Sequence, residues 1–135
     1  MLPAFSLAEG YDSMEKSLEI VIVDDEEPIT ELLKSFVMVA SKSAHVHTFT
    51  DSGKARAFLL RNNVDVLITD YKMPKYNGLE LLEVVPSDVK KILISGYVSE
   101  IAEEKLQKMN AVFFEKPVPI KKLSKIILEQ EKVAV

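Results

Sequence analysis

Cysteine is absent from this chain of 135 residues, which removes disulfide bonds, thiolate metal sites and cysteine nucleophiles together. Basic residues are also in short supply: 17 lysines and arginines face 21 acidic residues, for a net charge of −4. Nucleic-acid binding needs a surplus of positive charge, so this balance argues against direct contact with DNA or RNA. No apolar run approaches the ~20 residues of a membrane span, and the N-terminus lacks the layout of a signal peptide. These absences predict a soluble, cytoplasmic protein.

The length and composition suit one globular domain. Such domains have about 100–150 residues, and a hydrophobic share of 47% with 28% charged residues is ordinary for them. Residues 1–18 have no clear period, so we interpret them as an N-terminal arm or an expression remnant. Its apolar side chains could anchor it: Leu2, Phe5, Leu7 and Tyr11. We assign residues 19–131 to the domain and residues 132–135 to a short tail.

Two kinds of segment alternate from Glu19 onward. Apolar runs rich in Val and Ile, without polar alternation, are typical of parallel strands buried on both faces. They lie at Ile20–Val23, Val64–Ile68, Val89–Ile94 and Ala111–Phe114, and the more polar Ala44–Phe49 favours an edge strand. Apolar residues at helical spacing predict helices over 29–40, 55–60, 79–85, 98–109 and 120–127. Five β–α units predict an α/β fold, a doubly wound five-stranded parallel sheet with helices on both faces.

Polar, chemically capable residues follow four of the five apolar runs. In an open parallel sheet, ligands bind beyond the carboxyl ends of the strands. The residues found there are Asp24-Asp25, Thr69-Asp70, Ser95-Gly96 and Lys116-Pro117. We therefore expect three carboxylates, a hydroxyl and an ammonium group to meet at one edge of the sheet.

This combination of groups is suited to a magnesium ion and a phosphoryl group. Three close carboxylates repel one another unless a cation lies among them, and Mg²⁺ prefers oxygen ligands and often shares them with a phosphate. An aspartate can itself accept a phosphoryl group as a nucleophile. A metal ion, a lysine and a hydroxyl then stabilise the charge during transfer.

Over about residues 19–131 the chain resembles the receiver domains of two-component response regulators, of the chemotaxis-regulator type. The resemblance rests on Asp24-Asp25, on Asp70 within Thr69–Pro74 followed by Gly78, on Ser95-Gly96 and on Lys116-Pro117. It implies the flavodoxin-like receiver fold and makes Asp70 the phosphoacceptor. It also implies that Mg²⁺ is bound by Asp24, Asp25, Asp70 and the backbone carbonyl of Lys72.

The same resemblance assigns the remaining roles. Ser95 would bond the phosphoryl group, Lys116 would pair with it, and Ser95 and Phe113 would form the switch. The Lys116–Pro117 peptide bond would be cis. The implied phosphoryl donor is a histidine kinase or a phosphotransfer protein. The output would pass to a partner protein, to an output domain missing from this chain, or through dimerisation. The domain would catalyse only its own phosphorylation and dephosphorylation.

Two features depart from the family pattern. The stretch between Asp70 and Ser95 is shorter than usual, which predicts a trimmed third helix or a trimmed loop after it. Lys72, two residues after the acceptor, is hypothesised to screen the phosphoryl group and alter its hydrolysis. Two other functions stay open: a receiver-shaped binding module that acts without phosphorylation, and a Mg²⁺-dependent phosphatase with an aspartyl nucleophile. The second is disfavoured because many such enzymes have an aspartate where this chain has Lys72.

Simpler interpretations exist for several charged or polar residues. Glu26 and Glu27 suit the start of a helix, where the helix dipole favours acids, and Ser95 also suits a helix cap. His45 and His47 share one face of the edge strand, and without a third ligand nearby in sequence they indicate exposed strand residues rather than a metal pair. The lysines of the last helix form either a solvated face or a docking surface: Lys121, Lys122 and Lys125.

Overall fold

The computed structural model describes residues 17–96 and 103–134, and its centre is a sheet of five parallel strands. The strands are β1 (Glu19–Val23), β2 (His45–Phe49), β3 (Val66–Asp70), β4 (Lys90–Ser95) and β5 (Ala111–Glu115), in the spatial order β2-β1-β3-β4-β5. The described residues also form five helices: α1 (Glu27–Ala40), α2 (Ser52–Arg61), α3 (Gly78–Glu83), α4 (Glu103–Lys108) and α5 (Ile120–Ala134). The predicted α/β fold with a parallel sheet is confirmed.

The central strands are buried on both faces, as their uninterrupted apolar runs predict. Successive residues of a strand point to opposite faces, so Ile20 and Ile22 pack in one core cluster while Val21 and Val23 pack in the other. The first cluster includes Leu33 of α1 and Leu123 of α5, and the second includes residues of α2, α3 and α4. Each fully buried Leu, Ile or Val contributes about 1.5–3 kcal/mol.

The third strand differs from its predicted bounds. Val64 and Asp65 precede it, and it continues through Thr69 to Asp70, which is buried. The reason is the register of the neighbours: pairing begins where Val66 lies opposite Ile20 of β1 and Lys90 of β4. Strand ends therefore follow the partner strands, and polar residues at the carboxyl end are drawn into the sheet.

Side chains at the starts of α1, α2 and α3 stabilise the first turn of each of these helices. Pro28 lies in the first turn of α1, where its missing N–H leaves no bond unmade. Asp51 caps α2, and Asn77 with Glu80 forms a capping box at α3. Helix α3 has six residues.

Parts of two predicted segments lie outside the described residues. They are residues 1–16 of the arm, with its four apolar anchors, and residues 98–102 of the fourth predicted helix. Leu18, which the sequence assigns to the arm, is buried in the core, and its carbonyl accepts a hydrogen bond from the His45 N–H. Within the described ranges, no helix combines the length and the apolarity needed to cross a membrane.

Candidate functional site

Three aspartates meet at the carboxyl edge of the sheet. One carboxylate oxygen from each of Asp24, Asp25 and Asp70 lies within 4.8 Å of the others. Strands β1 and β3 are neighbours with Val23 opposite Thr69, so their next residues emerge side by side. Asp24 and Asp70 are only 2% and 9% exposed, whereas Asp25 is exposed. The predicted acidic pocket therefore has two buried members and one at its mouth.

Backbone N–H groups orient the two buried carboxylates. Asp24 Oδ1 accepts a hydrogen bond from the Glu26 N–H at 2.9 Å, and Asp70 Oδ1 accepts one from the Tyr71 N–H at 2.9 Å. Both bonds come from the residues that follow each strand, so the turns themselves hold the side chains. The remaining carboxylate lone pairs are available to other partners.

Lys116 supplies positive charge to the same pocket. Its Nζ lies 3.4 Å from Asp24 Oδ2 and 3.3 Å from Asp70 Oδ1. The backbone brings it there because the Lys116 N–H donates to the Ser95 carbonyl at 3.0 Å, and the Lys116–Pro117 bond is cis, as expected. One ammonium group thus faces two buried carboxylates.

The electrostatics of the pocket fit a hard cation. Burial raises the pKa of Asp24, and the charge of Asp70 adds to that rise. Burial also raises the pKa of Asp70, with Lys116 opposing it and the Asp25 charge reinforcing it. For Lys116, burial works to lower the pKa, but the two carboxylates outweigh it and raise the pKa above its ordinary value. The side chains that meet here offer carboxylate oxygens, the type of ligand that Mg²⁺ prefers in proteins.

Comparison with known proteins identifies the family. Residues 20–128, most of the chain, match the response regulator receiver domain. The chain belongs to this family. It is a receiver domain of two-component signalling, and the pocket described above lies at the carboxyl ends of its strands.

Relatives of this receiver domain are longer proteins. An uncharacterized response regulatory protein of Staphylococcus epidermidis is 34% identical over 83 residues, which are 58% of this chain and 32% of the relative. The hydrogenase transcriptional regulatory protein HoxA of Cupriavidus necator is 33% identical over 86 residues, 62% of this chain and 17% of the relative. The chain therefore spans a third or less of the length of these curated relatives.

Solved structures share the fold of this receiver domain. A CheY-like receiver domain from Methanospirillum hungatei has a TM-score of 0.72 at 24% identity, covering 88% of this chain and 97% of that one. An uncharacterized protein from Neptuniibacter caesariensis has a TM-score of 0.73 at 27% identity, covering 87% of this chain and 89% of that one. The first of these likenesses places the five-stranded sheet among the CheY-like folds.

The other predicted site residues of this receiver domain lie around the pocket at different depths. Ser95 ends β4 and is fully buried, one strand away from Asp70. Lys72 is exposed two residues after Asp70. Phe113 lies deeper, opposite Leu93 and two residues before the end of β5, where it packs half-buried against the second core cluster. The structure thus groups Asp24, Asp25, Asp70 and Lys116, with Ser95 beside them and Phe113 behind.

The histidines of the edge strand have a partner that the sequence does not reveal. The partner is the carboxylate of Glu19 in β1. Its Oε2 lies 2.6 Å from His45 Nδ1, and its Oε1 lies 2.8 Å from His47 Nε2. The His47 ring also packs on Phe58 of α2, with ring centroids 4.7 Å apart. Because Glu19 is 26 residues from His45 in sequence, only the pairing of β1 with β2 brings them together. The contacts favour a structural cluster at this edge.

Proposed function

We propose that this receiver domain accepts a phosphoryl group on Asp70 in a Mg²⁺-dependent reaction and thereby switches the binding of a partner. The observation that carries the proposal is the buried pair Asp24 and Asp70, with Asp25 at the mouth and the Lys116 ammonium within 3.4 Å of both buried carboxylates. The donor is a histidine kinase or a phosphotransfer protein, and the domain works in the cytoplasm. Its only catalysis is its own phosphorylation and dephosphorylation.

The carboxylates of Asp24, Asp25 and Asp70, together with the Lys72 carbonyl, would hold the magnesium ion. When bound, Mg²⁺ neutralises the carboxylates and polarises the oxygens of the incoming phosphoryl group. The donor set supports this assignment, because all its members are oxygens and the Lys116 charge alone leaves the three carboxylates with an excess of negative charge.

Asp70 acts as the nucleophile. One of its carboxylate oxygens attacks the phosphorus of a phosphohistidine; the new P–O bond forms as the P–N bond breaks, and the departing imidazole takes a proton from solvent. Lys116 keeps its proton because its pKa is raised, so it remains a fixed positive charge beside the phosphoryl oxygens. In the separate dephosphorylation step, water attacks the phosphorus, the P–O bond to Asp70 breaks, and inorganic phosphate departs, which leaves the free Asp70 carboxylate.

Ser95 and Phe113 would convert phosphorylation into a change of surface. The Ser95 hydroxyl would donate to a phosphoryl oxygen, and Phe113 would pack inward as Ser95 moves towards the phosphoryl group. Because residue 113 is phenylalanine, no phenol hydrogen bond can hold the switched state. The reader of this surface is an output protein, an output domain of a longer protein, or a second copy of the chain.

Acetyl phosphate with Mg²⁺ tests the proposal. Intact-mass measurement should find one labile phosphoryl group on the wild-type protein, and none on Asp70→Asn or on wild type with a chelator. Asp88→Asn, which changes an exposed aspartate outside the pocket, is the control and should be modified normally. An unmodified wild type would contradict the proposal and favour the alternative of a binding module that acts without phosphorylation.

A further inference from the structure

The loop from β3 to α3 contains a strained turn close to the proposed metal site. Lys75 has a φ of +70°, and the Tyr76 N–H donates to the Pro74 carbonyl at 2.9 Å across it. A three-residue turn of this kind, with a positive φ at a residue other than glycine, is rare and strained. It persists only where surrounding contacts hold it.

Ser52 of α2 holds both ends of this turn. Its Oγ donates to the Pro74 carbonyl at 2.6 Å and accepts a hydrogen bond from the Tyr76 N–H at 3.1 Å. Ser52 is 3% exposed, so water does not readily replace either bond. A single buried hydroxyl therefore bridges the two residues that flank Lys75.

Two weaker contacts tie the same loop to α2. Asp51 caps the helix through Oδ1, with the Gly53 N–H at 2.8 Å, and its Oδ2 accepts from Lys75 Nζ at 3.0 Å. The Arg56 guanidinium lies 5.0 Å above the Tyr76 ring. Because the Lys75 side chain is 61% exposed, its ion pair contributes little. The buried hydroxyl of Ser52 is the main attachment.

The loop is also fixed at its start. The Tyr71 N–H donates to the Ile94 carbonyl at 3.1 Å, and the Tyr71 carbonyl accepts from the Gly78 N–H at 2.7 Å. Lys72 and Met73 therefore lie between two fixed points, Tyr71 just after β3 and Pro74, which is bonded to Ser52. The direction of the Lys72 carbonyl depends on where both points are held.

We propose that Ser52 is a positioning residue for the metal site, which acts through the turn at Pro74–Tyr76 to present the Lys72 carbonyl to Mg²⁺. The inference rests on the proposed function, in which that carbonyl is a ligand. Removal of the buried hydroxyl leaves the Pro74 carbonyl and the Tyr76 N–H without this partner and lets the strained turn relax. The metal site then loses the set position of one ligand, while Asp24, Asp25 and Asp70 stay in place.

Magnesium titration of the metal-free protein, followed through the backbone amide resonances of Tyr71 and Tyr76, tests this role. Ser52→Ala should weaken Mg²⁺ binding about tenfold, the scale of one lost buried hydrogen-bonding group. Ser52→Thr keeps the hydroxyl and should restore binding to within about twofold of wild type. Ser35→Ala is the matched control, because Ser35 is exposed and its hydroxyl bonds only the Glu31 carbonyl of its own helix.

Phosphorylation by acetyl phosphate separates positioning from general damage. The Ser52→Ala rate should fall at limiting Mg²⁺ and return to the wild-type rate at saturating Mg²⁺, because only the affinity has changed. A rate that stays low at saturation, or a Ser52→Ala protein that binds Mg²⁺ as tightly as wild type, would overturn the inference alone. A wild type that does not bind Mg²⁺ would overturn the proposed function and this inference together.

A second variant tests the turn itself. Glycine adopts a positive φ without strain, so Ser52→Ala combined with Lys75→Gly should bind Mg²⁺ more tightly than Ser52→Ala alone. The double variant also serves if Ser52→Ala alone is poorly folded, because the glycine relieves the strain of the same turn. A double variant that binds no more tightly would contradict the role of the strained turn.

Discussion

At the scale of single residues, the properties of the pocket come from burial as much as from charge. Asp24 and Asp70 are aspartates at strand ends, a common position, but each is almost fully removed from water and faces another carboxylate. The Lys116 ammonium pairs with both of these carboxylates. Negative charge is therefore held in a place where it destabilises the metal-free fold.

Asp70→Asn should stabilise the metal-free protein. The raised pKa of Asp70 means that, just above its ordinary value of 3.8, the folded state binds more protons than the unfolded state. Stability then falls as pH rises through this window. We expect the Tm of Asp70→Asn at pH 7, with a chelator, to exceed that of wild type by about 4 °C, the shift that about 1 kcal/mol produces.

The control for this stabilisation is Glu31→Gln, an exposed acid on α1, whose Tm should stay close to that of wild type. The advantage of Asp70→Asn should shrink as the pH is lowered towards 4, since the wild-type carboxyl then becomes neutral. A Tm for Asp70→Asn below that of wild type at pH 7 would show that the Lys116 pairing outweighs burial.

Lys72→Ala should change the lifetime of the phosphoryl group. Lys72 is exposed and lies two residues after the acceptor, and we hypothesise that its charge screens the phosphoryl oxygens and alters attack by water. The half-lives of phosphorylated wild type and Lys72→Ala, measured at saturating Mg²⁺, should differ by several-fold, about the effect of one nearby charge. Lys54→Ala, at an exposed position of α2, is the control. Equal half-lives in wild type and Lys72→Ala would contradict the hypothesis that the Lys72 charge screens the phosphoryl group.

At the scale of secondary-structure elements, close backbone approach and strand pairing decide what the site can tolerate. Helix α3 begins at Gly78, immediately beside the end of β3 that carries Asp70. The edge strand β2 is joined to β1 by a carboxylate as well as by its ladder of hydrogen bonds. Both features come from packing between elements.

Gly78→Ala should destabilise the fold strongly. A Cβ on Gly78 would lie 2.3 Å from the Asp70 carbonyl oxygen and 2.6 Å from Leu93 Cδ1, so backbone and core must shift. We expect a loss of about 2 kcal/mol or more in the free energy of unfolding, as for overpacked sites. Gly96→Ala is the matched control, because a Cβ there meets nothing within 4 Å. Urea denaturation of both variants measures the difference, and equal stabilities would contradict the close approach.

Glu19→Gln should destabilise the protein in a pH-dependent way. Burial works to raise the pKa of Glu19, but the hydrogen bonds from His47 and His45 outweigh it and lower the pKa below its ordinary 4.5. Such a group contributes stability above pH 4.5, and the contribution is lost as pH falls through the folded-state pKa. We expect Glu19→Gln to lose up to about 1 kcal/mol at pH 7 and less near pH 3.

Urea midpoints at the two pH values check the Glu19 prediction, with the exposed Glu129→Gln of α5 as the control. The same loss at both pH values would show that the carboxylate acts by packing alone.

At the scale of the whole molecule, metal binding should be linked to folding. The carboxylates of the pocket come from β1 and β3 and their following turns, so the site exists only when the sheet is formed. A ligand that binds only the folded state stabilises it by mass action. The fold and the site are therefore expected to respond together to magnesium.

Magnesium should raise the Tm of wild type but not of Asp24→Asn. At a free concentration of about 100 times the Kd, the linkage contributes about 2.7 kcal/mol. Thermal unfolding with MgCl₂, compared with KCl at matched ionic strength, separates specific binding from salt screening. Equal Tm values of wild type in the two salts would contradict the proposed metal site.

Much of the architecture is already determined by the order of residue types along the chain. Uninterrupted apolar runs such as Val66–Ile68 favour a parallel sheet that is buried on both faces, because a half-exposed strand would leave such residues in water. Once the sheet is parallel, the residues after each run share one edge, and the meeting of Asp24, Asp70 and Lys116 follows without knowledge of any distance.

The tertiary structure decided what depends on register and on contacts between distant segments. Three features follow no local period in the sequence. They are the first residue of β3, the position of the Glu19 carboxylate between two histidines, and the bond from the Ser52 hydroxyl to a turn 22 residues away. Their partners depend on the register of the strands and on how α2 packs against the loop from β3 to α3. Sequence alone thus determined which groups reach the site, and packing determined how firmly each one is held there. The reason is that hydrophobic patterning positions whole elements, whereas hydrogen bonds depend on fractions of an ångström.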